Sequence, residues 1–187
     1  MVKLTRIYTR TGDDGRTGLG DGSRADKHGA RVTACGSVDE ANSVLGLARL
    51  CTDGKTDAML ARIQNDLFDL GADLCTPEVE DPSCTPLRIV ESQIRWLEDA
   101  IDELNADLPT LRSFVLPGGT PLGAHLHHAR TVARRAERDI SALAAREKVN
   151  PLTLQYVNRL SDYLFVAARA ANAAAGGDVL WEPGKNR

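Results

Sequence analysis

Aromatic residues are scarce in this chain: three Phe, three Tyr and two Trp among 187 residues. Alanine is abundant instead, a balance that suits helices better than a β-sandwich. Long hydrophobic runs are also missing. No apolar stretch approaches the roughly 20 residues that cross a bilayer. The opening Met-Val-Lys-Leu-Thr-Arg-Ile-Tyr has neither a signal-peptide apolar segment nor an Arg/Ser-rich transit helix. The four cysteines, Cys35, Cys51, Cys75 and Cys84, form no Cys-x-x-Cys pair, so neither a zinc knuckle nor a redox dithiol is indicated. Four free thiols in a reducing cytoplasm are expected. Excess charge of one sign is absent too. With 23 basic and 26 acidic residues the formal net charge is −3. That argues against broad binding to nucleic acid or anionic membrane and leaves room for a local basic site. What remains is an ordinary globular composition, 42% hydrophobic and 26% charged. At this length a single domain over residues 1–187 is expected, able to bury a core without staples.

The first 36 residues are glycine-rich, polar and without period; helical periodicity takes over from residue 37 to 176, and 177–187 reads as a tail. Ser37-Val38-Asp39-Glu40 has the form of a capping box, with Val38, Ala41, Val44, Leu45 and Ala48 as an apolar stripe behind it. Leu60, Ile63, Leu67, Leu70 and Leu74 mark a second helix over about 56–75. Val90, Ile94, Leu97, Ile101 and Leu104 mark a third over about 89–104. Pro77, Pro82 and Pro86 make the connection between them a loop. Thr120-Pro121 and Asn150-Pro151 each pair a capping residue with proline at the first helical position, opening a fourth and a fifth helix. Leu122, Leu126, Ala129, Ala133, Ala136, Ile140 and Leu143 line the fourth inward; Val157, Leu160, Leu164, Ala167 and Ala171 line the fifth, which Gly176-Gly177 ends. The fold class is therefore all-α, a five-helix up-and-down bundle preceded by a glycine-rich loop.

Four constellations can carry chemistry. Between Tyr8 and Gly22, five glycines and several hydroxyls surround Arg10. Such a loop can turn backbone amides into a phosphate cradle, or can simply be a mobile N-terminal loop. It is neither a Walker A loop nor an EF-hand. On the fourth helix, Arg130, Arg134 and Glu137 share a stripe about 100° from the apolar one, a boundary face suited to an interface or cleft. Guanidinium groups there match phosphate or carboxylate. A solvated face with pairs such as Arg135–Asp139 is the simpler reading of that cluster alone. On the fifth helix, Asn158 and Asp162 share a face and require partners, as a site or as a buried network. Finally, His125 and His128 could share a face, but no Glu-x-x-His accompanies them, so no metal site built from side chains is expected.

At these residues the sequence resembles the PduO-type ATP:cob(I)alamin adenosyltransferases. Ile7-Tyr8-Thr9-Arg10-Thr11-Gly12-Asp13-Asp14-Gly15, Gly36 to Glu40, Phe114 to Gly119, Ala129-Arg130 with Arg134 to Arg138, Asn158 to Phe165 and Val179-Leu180-Trp181 occur in family order over nearly the whole chain. The resemblance implies a homotrimer with active sites between subunits. It implies that Thr9, Arg10, Thr11, Gly12, Thr17, Gly18 and Lys27 wrap ATP, and that Arg134, Arg135, Ala136, Glu137, Arg138 and Asn158 hold it from the helix side. It implies that Asp39 pairs with Arg130 across the interface, that both contact cobalamin, and that Phe114 faces the corrin and displaces the lower axial ligand of cobalt. Arg134, Asp39, Arg130 and Phe114 are the implied catalytic set. Arg10 stands where the family commonly has Lys, Asp21-Gly22-Ser23-Arg24 where it has Gly-Gly-Glu-Arg, and Cys35 where an aromatic is common.

The implied reaction is attack of cobalt(I) on the ribose C5′ of ATP, forming adenosylcobalamin and releasing tripolyphosphate. ATP is co-substrate, cobalamin is substrate, and Mg²⁺ bridges phosphate oxygens. Such chemistry needs positioning and charge neutralisation rather than a protein nucleophile, which suits a chain with no Ser/His/Asp or Cys/His arrangement. A cobalamin reductase and an adenosylcobalamin-dependent enzyme are the implied protein partners. The main rival is a non-catalytic trimeric bundle that binds nucleotide or delivers cobalamin; a metal-storage bundle is the second.

Overall fold

In a computed structural model the chain is described over residues 7–80 and 85–187; Cys84 falls outside these. Five helices are present, as the periodicity predicts: α1 (Ala30–Arg49), α2 (Gly54–Cys75), α3 (Glu91–Asn105), α4 (Pro121–Ala144) and α5 (Pro151–Ala173). The predicted caps of the last two are formed. Thr120 Oγ1 accepts from the Gly123 amide at 3.0 Å, and Asn150 Oδ1 from the Leu152 amide at 3.1 Å. Each predicted leucine of α2 is buried, as are Ile94 and Leu97 of α3. Val90, however, is half exposed; α3 starts one residue later than the stripe suggested, and Ile89 fills the core instead.

The start of α1 differs from expectation by two turns. Ser37 to Glu40 do not cap a helix; they lie inside one that begins at Ala30. Ser37 Oγ donates to Asp139 of α4, and Glu40 pairs with Arg135 of α4. Ala34 is fully buried, and Arg31, 5% exposed, donates to the Leu74 carbonyl and pairs with Glu147 at 2.7 Å. Packing of this extra length against the ends of α2 and α4 outweighs the local signal of Gly36-Ser37. The segment before it also has structure. β1 (Arg16–Gly18) and β2 (Arg24–Asp26) form an antiparallel hairpin with Thr17 opposite Ala25. Its tip is fastened to the end of α2 by the Gly20 amide donating to the Cys75 carbonyl at 2.8 Å.

Successive helices alternate in direction, but neighbours in space are not all neighbours in sequence. α4 packs between α1 and α5, while α2 flanks α1 and α3 flanks α5. Contacts step in opposite senses along α1 and α4, from Arg31–Glu147 to Glu40–Arg135, so these run antiparallel. α3 and α5 run parallel, matched at Ile89–Asn150 and Glu98–Arg159. The core between them is aliphatic and Ala-rich, with Tyr156 and Tyr163 as its largest buried side chains.

One buried carboxylate ties three elements. Asp73, 2% exposed, accepts from Arg88 NH1 at 2.7 Å, from the Ile89 amide at 2.8 Å and from Asn150 Nδ2 at 2.8 Å. Truncation would strand the Ile89 amide and remove the buried counter-charge of Arg88, which keeps only the Asp73, Thr76 and Pro77 carbonyls, while Asn150 keeps the Ile89 carbonyl. Asp73→Ala is expected to cost about 3 kcal/mol, a fall in Tm of roughly 6–12 °C. Thermal unfolding at matched protein concentration checks this, and an unchanged Tm would contradict it.

Candidate functional site

The seam between α4 and α5 carries the polar groups that the bundle leaves outside. Arg134 and Arg138 are exposed and Glu137 half-buried, whereas their neighbours Ala133 and Ala136 are buried in the core. With Ser141 and Leu154 they line a groove of about 530 Å³. Its single carboxylate is already engaged: Glu137 accepts from Asn158 Nδ2 at 2.9 Å and lies 4.0 Å from Arg134 NH1. Asn158 in turn accepts from Arg159 NH1 at 3.0 Å. Arg138 donates to the Arg134 carbonyl at 2.9 Å. Asn158 thus finds partners on α4 and at Arg159, while Asp162, expected to share its face, is exposed and lies only 3.9 Å from Arg159; two guanidinium groups face open space, a geometry that accepts a polyanion.

Four residues from Arg134 toward the helix start, about 6 Å along the axis, Arg130 enters a second cleft. This one is larger, about 690 Å³, and mostly apolar, walled by Leu111, Phe114, Phe165 and Trp181. The Arg130 guanidinium stands over the Phe165 ring at 5.9 Å. Phe114 is 77% exposed and meets Trp181 with ring centroids 5.9 Å apart. It is a wall of the cleft, and not a core residue.

Backbone geometry fixes that wall. The predicted tail is folded: Leu116 donates to the Val179 carbonyl and Trp181 to the Phe114 carbonyl, each at 2.8 Å, around an antiparallel bridge between Val115 and Leu180. Ser113 Oγ adds a bond to the Trp181 carbonyl at 2.7 Å. The Pro117-Gly118-Gly119 turn then enters α4 against buried Asn172. The Asn172 Oδ1 accepts from the Thr120 amide at 2.9 Å, and its Nδ2 donates to the Gly118 carbonyl at 3.0 Å. A Cβ at Gly119, where φ is 100°, or at Gly123 would collide with that amide.

The N-terminal loop is an organised but separate surface. Arg10 sits at φ 61° with its guanidinium over the Tyr8 ring at 5.7 Å. Thr9 and Thr11 share a hydroxyl bond of 2.9 Å, and Lys27 Nζ donates to the Gly12 carbonyl at 2.7 Å. Arg24 braces the loop through the Thr11 carbonyl and Asp14, whose carboxyl is held below its usual range chiefly by the Arg16 amide. Thr17 and Gly18 lie on β1.

The seam therefore gathers Arg130, Arg134, Glu137, Arg138, Asn158 and Phe114. Other candidates stand elsewhere. Thr9 to Gly12, Thr17, Gly18 and Lys27 make no hydrogen bond to α4 or α5 among the described residues. Asp39 is exposed on α1 and makes no ion pair with Arg130 in the described chain. Arg135 turns the other way and pairs with Glu40, not with Asp139 as the spacing suggested. Ala136 is 1% exposed inside the core. Phe165 and Trp181 line the cleft, although neither spacing nor motif assigned them a role; the signal was an aromatic within an otherwise aliphatic chain. Burial pushes the Cys35 thiol up to about 11, so it stays protonated.

Comparison with known proteins places this arrangement. The cobalamin adenosyltransferase family profile matches residues 7–171. The corrinoid adenosyltransferase of Mycobacterium tuberculosis is 56% identical over 190 residues, covering 100% of this chain and 97% of that protein. That of Mycobacterium leprae is 54% identical, covering 98% of each. Among solved structures, a variant of the PduO-type ATP:corrinoid adenosyltransferase from Lactobacillus reuteri, complexed with cobalamin and ATP, superposes with a TM-score of 0.89 at 40% identity, covering 95% of this chain and 99% of that one. On its sequence over nearly the full length and on its fold, the chain belongs to the cobalamin adenosyltransferase family.

Proposed function

We propose that the chain transfers the 5′-deoxyadenosyl group of ATP to cob(I)alamin. The observation that carries this reading is a pair of clefts entered from α4 about one turn apart, one cationic around Arg134 and Arg138 and one apolar around Phe114, Phe165 and Trp181 beside Arg130. A triphosphate in the first and a corrin in the second would bring the ribose C5′ and the metal together near Arg130. The cobalt(I) electron pair forms the Co–C bond as the C5′–O bond breaks, and the triphosphate leaves with that bonding pair. The protein's task is to hold both reactants in line and to stabilise charge on the leaving group. Arg134 and Arg138 do the second. Mg²⁺ bound with ATP would add charge neutralisation on the triphosphate, and Arg134 and Arg138 line the groove that would receive it. Incubation of the purified protein with ATP and chemically reduced cobalamin tests the reading. Adenosylcobalamin and free tripolyphosphate are expected; tight binding of both ligands without product would favour a delivery protein.

The glycine-rich loop enters this reading from a second copy. Within one chain it lies against the end of α2 and, among the described residues, bonds nothing on the α4–α5 seam. A homotrimer, in which each loop closes the neighbour's seam, brings Thr9 to Gly12 and Lys27 to the phosphates and exposed Asp39 to Arg130. Asp39→Asn is expected to weaken assembly and raise the KM for cobalamin about tenfold, with little change in the KM for ATP. Light scattering and steady-state kinetics check both. A wild-type protein that stays monomeric near 20 kDa at micromolar concentration, or an unaltered variant, would overturn the pairing.

A further inference from the structure

Around Phe165, a wall of the apolar cleft, lie polar atoms to which the reaction above gives no role. His127 is 1% exposed, and neither of its ring nitrogens has a hydrogen-bond partner. Arg130 Nε, one turn along α4, and Asp178 Oδ1, in the C-terminal segment, are also buried and unpartnered among the described residues. The charges of the other two act on His127. Burial foremost, and then the Arg130 charge, holds the His127 ring below the ordinary imidazole range, while Asp178 acts in the opposite sense. One ring joins two of them: Phe165 lies 6.2 Å from His127, edge on, and 5.9 Å from the Arg130 guanidinium. Unmatched buried polar atoms are uncommon, and several in one place call for an explanation.

Their hydrogen-bonding capacities are complementary. Arg130 Nε–H is a donor, Asp178 Oδ1 an acceptor, and a neutral imidazole carries one of each. We propose that His127 is a positioning residue linking Arg130 to Asp178: small side-chain turns would close the bonds that are open here, with one ring nitrogen accepting from Arg130 Nε–H and the other donating to Asp178 Oδ1. An imidazolium only donates and would face the Arg130 donor without an acceptor, so the link needs the neutral ring. The other charges facing this group are Arg134, which acts on Arg130, and Arg169, whose Nε donates to Asp178 Oδ2 at 2.9 Å. Asp178 directly precedes the strand that bonds Leu116 and Phe114. The link would thus set two walls of the cleft at once, the aim of the Arg130 guanidinium and the seat of the Phe114–Trp181 pair.

This inference rests on the reading of the cleft as the corrinoid site, and its test separates the two. Ring-¹⁵N histidine spectra of the wild-type protein report the link without any substrate. A slowly exchanging ring N–H from His127 is expected, with the ring staying neutral to lower pH than a free imidazole. His127→Phe, which fills the volume without polar atoms, should raise the KM for cobalamin about tenfold and leave that for ATP unchanged. His127→Gln, which keeps a donor and an acceptor, should recover most of the loss. A ring that titrates in the ordinary range with fast N–H exchange would overturn the link. So would a Phe variant with wild-type cobalamin KM, or a Gln variant as impaired as Phe. If Arg130→Ala and Phe114→Ala both leave cobalamin affinity unchanged, the cleft reading fails, while the ring N–H still decides the link. Should His127→Phe fail to fold, the wild-type spectra alone are decisive.

Discussion

Arg134→Ala should lower kcat and kcat/KM together by about 100-fold or more while the protein remains folded. The Arg134 side chain is 52% exposed, and its contact with Glu137 is long, 4.0 Å. The bundle therefore has little to lose when it is truncated, as its neighbours Ala133 and Ala136 fill the core. On the proposed reading the guanidinium instead meets charge that grows on the triphosphate as the C5′–O bond breaks, an interaction stronger in the transition state than in the bound substrate. Arg134→Lys separates charge from geometry: a point charge remains but the planar fork is lost, so an intermediate defect is expected. Steady-state kinetics with pre-reduced cobalamin, beside circular dichroism, make the measurement. Wild-type turnover in Arg134→Ala would remove the residue from the mechanism, and loss of fold would show that the groove is structural.

Phe114→Ala should be the second large effect, and it should depend on the oxidation state supplied. A core phenylalanine would destabilise the bundle on truncation, but Phe114 is 77% exposed and touches chiefly Trp181, so stability should change little. Its backbone is held by the C-terminal strand, which places the ring in the cleft whatever the solvent does. The proposed role is to occupy the space beneath cobalt and keep a lower ligand and water out. Reduction to cobalt(I) is easier without that ligand, because the electron-rich metal favours fewer ligands. The variant should therefore be slowed most when the reaction starts from cobalt(II), and much less when cobalt(I) is provided. ATP affinity should hold, since the ring lies in the apolar cleft and not in the arginine groove. Cobalt(II) spectroscopy of the ATP-bound variant is the direct test. An undiminished four-coordinate signal would make Phe114 a packing residue.

Local rules carried part of the architecture. The leucine spacing of α2 and the Thr120-Pro121 and Asn150-Pro151 starts of α4 and α5 needed only periodicity and capping chemistry, and they occur where the residues put them. The stripe of Arg130, Arg134 and Glu137 was likewise legible, because a helix maps sequence spacing directly onto a face. The start of α1 was not. Ser37 to Glu40 satisfy a capping pattern locally, yet Ser37 and Glu40 find partners on α4, 102 residues away for Ser37. Arg135 was misplaced for the same reason, since its choice between Asp139 and Glu40 depends on which helix packs beside α4.

Five helices, most of their inward faces, two of their caps and the family resemblance follow from residues within a few positions of one another or from motif order. That α4 lies between α1 and α5, that Phe114 stands exposed against Trp181, and that His127, Arg130 and Asp178 bury unmatched polar atoms emerge from packing alone. Those facts depend on groups brought together from distant parts of the chain. Spacing along a helix cannot report which distant segment will cover it, and the histidine with the most to explain lay between the two, His125 and His128, that spacing singled out.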